Sequence, residues 1–102
     1  MKGFTIAAAL LAVLMPGVSL AGWDDALAEL KTEKQVKDLM HKGSILYVGV
    51  IDDGTRRDGY AQYVCQVLAD HRVAAGTTVH VMDIVKITRD NDWKKLGTAR
   101  CR

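Results

Sequence analysis

The stretch SILYVGVIDDGTRRDGYAQYVCQVLADHRVAAGTTVHVMDIVKIT, Ser44 to Thr88, decides the fold. It opens with Ser44–Ile51, an unbroken β-branched and aromatic run. Ile45, Tyr47 and Ile51 alternate with Leu46, Val48 and Val50, so both faces are apolar. That pattern predicts a strand covered on both sides. Gly49 in its middle predicts a bulge or the close approach of a helix backbone. Asp52-Asp53-Gly54 then turns the chain, and Thr55 with Asp58 reads as the cap of a helix running to about Arg72. Ala61, Val64, Cys65 and Leu68 share its inward face. Thr77–Thr88 predicts a second strand, with Val79, Val81, Val85 and Ile87 on one face and His80, Met82, Ile84 and Lys86 on the other. A strand–helix–strand unit of this kind crosses over right-handed, which sets its two strands parallel.

The flanks extend the pattern. Trp23 to Lys42 carries helix formers without proline or glycine, but its apolar stripes (Trp23, Leu27, Leu30; then Val36, Leu39, Met40) do not join. Thr32 with Gln35 reads as a capping box, which predicts two short helices meeting at Thr32 and stopping at Gly43. On the other side, Asp90-Asn91-Asp92 is a turn. Trp93 to Cys101 predicts a third strand returning as a hairpin, with Gly97 its weak point. The expectation is a small αβαββ-like α+β domain with a three-stranded mixed sheet, residues 22–102.

Residues 1–21 read as a secretory signal peptide. Lys2 supplies the positive start, Phe4–Met15 the apolar run, Pro16-Gly17 the break, and Ser19-Leu20-Ala21 the small residues a signal peptidase reads. The apolar run is too short for a membrane anchor, since spanning about 30 Å of hydrocarbon takes roughly 20 residues. Leu20-Ala21-Gly22 begins like a bacterial lipoprotein box, yet Trp23 stands where the lipid-bearing cysteine is needed. The expected product is periplasmic or secreted, with no stable membrane anchor.

Cleavage leaves 81 residues, room for one small domain. The whole chain carries a formal charge of +2, and loss of Lys2 reduces it to +1, too little to predict a nucleic-acid binder. Cys65 and Cys101 are the only cysteines, an even count that predicts one disulfide in an oxidising compartment. A closed loop of this length stabilises by roughly 3.5–4 kcal/mol on chain-entropy grounds.

Two features offer chemistry. The loop Asp52–Tyr60 gathers Asp52, Asp53, Arg56, Arg57 and Tyr60 beyond the carboxyl end of the first parallel strand, where open sheets place ligands. Its carboxylates and guanidinium forks suit an anion or a polar partner; the same composition also makes a solvated turn with a capped helix. Asp83 interrupts an otherwise apolar strand face, so it is a catalytic carboxylate, a bulge residue or a satisfied buried acid. No nucleophile-elbow, zinc-protease, phosphate-loop or dinucleotide motif appears, and no metal or cofactor is expected. His41, His71 and His80 lack ligand spacing, and Asp90-Asn91-Asp92 lacks the later glycine and glutamate of a calcium loop. Two functions fit. One is a non-catalytic binding or accessory module for a protein or cell-envelope component; the other is a small hydrolase or anion-binding enzyme using the Asp52–Arg57 loop and Asp83. The oligomeric state is not readable from the residues.

Overall fold

The two apolar runs become adjacent central strands of a sheet in the computed structural model, which describes residues 18–102. The chain order is α1 (Val18–Lys31), β1 (Asp38–Lys42), β2 (Ile45–Val50), α2 (Asp58–Asp70), β3 (Thr78–Asp83), α3 (Ile84–Asp90) and β4 (Lys95–Arg100). The strands lie in the order β1-β2-β3-β4. As expected, β2 and β3 run parallel across α2; both outer pairs are antiparallel. The result is a small α+β domain with a mixed sheet, but of four strands instead of three. Residues 1–17 of the expected leader lie outside the described residues. Among the described residues no helix is long and apolar enough to cross a membrane.

Strand alternation sets the core on one face. Leu46 pairs with Val79 and Val48 with Val81 across the parallel ladder, and all four are fully buried. Ala61, Val64 and Leu68 of α2 and Ala26 and Leu30 of α1 close over them. Each large apolar side chain so buried contributes about 1.5–3 kcal/mol. The opposite face carries Met40, Tyr47, Gly49 and Met82.

Three expectations are corrected. The second N-terminal helix is instead β1. Thr32 does not start a helix but closes α1, its hydroxyl donating to the Glu29 carbonyl at 2.6 Å. Gly43, at φ +61°, then makes a two-residue turn that brings Lys42 opposite Ile45. Glycine at the first turn position is what a tight hairpin favours. The apolar residues at 36, 39 and 40 satisfied helical spacing by coincidence, and pairing with β2 overrides local propensity.

The second strand of the crossover also ends early. β3 stops at Asp83, and Ile84–Asp90 is a helix of about two turns capped at both ends. The Asp83 carboxylate accepts from the Val85 and Lys86 N–H groups at 3.1 and 3.2 Å, and Asn91 closes the helix at φ +54°. Both are standard cap chemistry. Ile84, at its start, rests on the bare backbone of Gly49, where an added Cβ would come within 2.9 Å of its Cδ1. The glycine therefore does mark a close approach, made by a helix side chain.

The third correction concerns α2, which starts at Asp58 with no side-chain cap from Thr55. Gly97 of β4 permits that start: a Cβ there would overlap the Arg57–Asp58 peptide. The Arg57 N–H donates to Leu96 O at 3.0 Å, and Thr98 N–H donates to Asp58 Oδ1 at 2.9 Å. Gly97 is thus the seat of the α2 N-terminus. Cys65 and Cys101 form the expected disulfide, their Cα atoms 5.3 Å apart, and it fastens the chain end beyond β4 to the middle of α2.

Candidate functional site

The polar loop folds back on itself. Asp52 accepts the Gly54 N–H at 2.8 Å and lies 3.8 Å from Lys94 Nζ. Asp53 accepts both the hydroxyl and the N–H of Thr55, at 2.6 and 3.0 Å. Those hydrogen bonds, with a smaller contribution from Arg57, hold its carboxyl below the usual range. Arg56 is exposed and pairs with Asp58, whose carboxyl is likewise lowered, first by that bond and then by the Thr98 N–H.

Arg57 is the exception to a solvated loop, because it is buried. Its Nη1 donates to Gln35 Oε1 at 2.7 Å and Nη2 to the Ile51 carbonyl at 2.9 Å; Asp53 Oδ2 stands 3.5 Å from Nη2. One guanidinium therefore joins the segment before β1, the end of β2 and the loop, a task suited to its rigid fork. Among the described residues Arg57 Nε has no hydrogen-bond partner.

Tyr60 packs against the core from the next turn of α2, its ring 5.7 Å from that of Tyr63. Among the described residues the buried Tyr60 hydroxyl meets no hydrogen-bond partner, whereas Tyr63 donates to Glu33 Oε2 at 2.8 Å. Burial, and secondarily the Glu33 charge, push the Tyr60 hydroxyl up to about 12. Tyr60 is thus a packing residue whose hydroxyl is buried.

Asp83 is also buried, but both N–H groups it accepts belong to its own chain turn. The structure brings together Asp53 and Arg57, joins Arg56 to Asp58, and leaves Asp83 in the α3 cap. Arg57 ties Gln35 and the end of β2 to the loop, Asp58 ties the start of α2 to β4, and Asp83 serves its own helix. Among the described residues no cluster of three or more metal-ligating side chains forms.

The feature that sequence reasoning missed lies on the sheet face away from α1 and α2. Here α3 and the residue after the turn, Trp93, stand over Gly49 and leave a groove of about 70 Å³. Met40, Tyr47, Met82, Ile84, Ile87 and Trp93 wall it, and Asp38 is its one charged residue. Trp93 meets Tyr47 edge-on at 5.6 Å, and Met40 and Trp93 remain 41% and 45% exposed. Polarizable methionine and aromatic walls suit an apolar side chain from a partner. Gly49 between two apolar strand faces was the available signal, but reading α3 as strand hid what stands above it.

No known protein family, curated protein or solved structure matches this chain.

Proposed function

We propose that this chain is a small exported binding or accessory module, non-catalytic, that recognises a protein or cell-envelope component through the open face of its sheet. The observation that carries this reading is the Met40–Tyr47–Trp93 groove, an apolar concavity that, among the described residues, only α3 partly roofs. Exposed apolar surface of this kind is costly to keep in water and marks interaction sites. The disulfide supports passage through an oxidising compartment, in line with the leader read from residues 1–21. The hydrolase alternative would use the same loop, in which Asp52, Asp53, Arg56 and Arg57 each make a pair within the chain.

The test is recovery of a partner from periplasmic extract on immobilised protein. A partner held by the parent and by Arg56→Ala, but lost with Trp93→Ala or Ile87→Ser, supports the reading. A partner that is lost only with Arg56→Ala, or that survives both groove substitutions, overturns it.

A further inference from the structure

The two edges of the sheet are treated differently. On β4, the outward groups are occupied by the start of α2: Leu96 O accepts from Arg57 N–H and Thr98 N–H donates to Asp58. Among the described residues nothing comparable covers the β1 edge. Lys42 stands opposite Ile45 across a two-residue turn, and pairing continues through Met40–Tyr47 and Asp38–Gly49. In such a hairpin the directly bonded pairs alternate, so the N–H and C=O groups of Leu39 and His41 point away from β2. The Leu39 N–H is met only by the carboxylate of its neighbour, Asp38 Oδ1, at 2.9 Å. An uncovered row of backbone donors and acceptors is a template for another strand.

The side chains of this edge specify which strand. Asp38, Met40 and Lys42 share the open face, beside the groove, while Leu39 and His41 turn to the helices, where His41 stacks on Trp23 at 3.8 Å. Met40 is half exposed, and among the described residues Lys42 makes no ion pair. The sequence Asp-Leu-Met-His-Lys is complementary to itself when reversed. We propose that β1 pairs antiparallel with β1 of a second copy, centred on Met40, joining two four-stranded sheets into one of eight.

In that register Leu39 and His41 exchange backbone hydrogen bonds with His41 and Leu39 of the second copy. Met40 meets Met40 of the second copy in the closely spaced, non-bonded position. Asp38 stands opposite Lys42 of the second copy, twice over by the two-fold axis. Asp38 must release the Leu39 N–H to do this, exchanging a local bond for an intermolecular ion pair. The slipped registers, centred on Leu39 or His41, place Asp38 opposite Met40 or Met40 opposite Lys42 and lose both ion pairs. The pairing leaves the groove open on each copy but shares Asp38 and Met40 with its rim; Tyr47, Met82, Ile84, Ile87 and Trp93 take no part in it.

Charge reversal tests the register. Sedimentation of the disulfide-bonded protein over a range of concentrations should show a dimer in exchange with monomer. Asp38→Lys alone and Lys42→Asp alone should each weaken association by about tenfold or more. The two single variants mixed together, and the double variant D38K/K42D alone, should regain the parent's affinity. Circular dichroism and a thiol count check that each variant folds. A parent that stays monomeric at every concentration overturns the proposal. So does a dimer that neither single reversal weakens, or a double variant that fails to recover.

Discussion

Arg57 lies in the most polar loop of the chain, yet it is one of the few charged residues the fold buries. Its worth is in the acceptors it satisfies, Gln35 Oε1 and the Ile51 carbonyl, together with the nearby Asp53 carboxylate. Arg57→Ala leaves these without a donor and should lower unfolding stability by about 2–3 kcal/mol, read as a fall in the urea midpoint at unchanged slope. Arg57→Lys should recover little of it, because one ammonium cannot reach two acceptors along a fork. Asp83 belongs to the same class of residue. Asp83→Ala should cost about 1 kcal/mol and Asp83→Asn far less, as for any helix cap; a much larger loss with either would show a role beyond the cap. The Tyr60 hydroxyl gives the pH signature. Its folded value, about 12, is above the roughly 10 of an unfolded tyrosine. The neutral form is therefore favoured by folding, and that stability is fully present below pH 10 and lost as pH rises through 12. Tyr60→Phe should show a shallower alkaline decline in denaturation midpoint than the parent. An identical decline would place the titrating group elsewhere.

At the scale of elements, the disulfide joins the two halves of the fold. It closes a loop that contains β3, α3 and β4, and β4 in turn supports the start of α2. Reduction should lower stability by roughly 3.5–4 kcal/mol on chain-entropy grounds and a Cys65→Ala/Cys101→Ala variant should match the reduced protein. An unchanged melting temperature on reduction would contradict this role. What the residues reveal in advance follows from the range of the forces involved. The β2–α2–β3 crossover was readable because both strands are buried by their own alternation and α2 by its 3.6-residue stripe. β1 was not, since its place depends on pairing with β2, and its five residues satisfy helical spacing equally well. α3 lost to β-branched propensity over Ile84–Thr88, although both of its caps, Asp83 and Asn91, are present in the sequence. The candidate site was split in the same way. The loop was visible as composition but not its internal pairing, and the groove needs β1 and α3 together before it exists.

Across the whole molecule, one face of the sheet is sealed by α1 and α2 and the other is only partly roofed by α3. That asymmetry is the basis of the functional account, in which the sealed face supplies stability and the open face supplies recognition. It predicts that recognition of the partner is confined to the open face. The most direct measurement is site-specific photocrosslinking in the cell of origin, with the reactive residue placed in turn at Trp93 on the open face and at Gln62 and Asp70 on the outer side of α2. The account predicts a discrete adduct with another protein or envelope component from position 93 and none from 62 or 70. Adducts from the α2 positions at equal yield, or none from position 93, would contradict it.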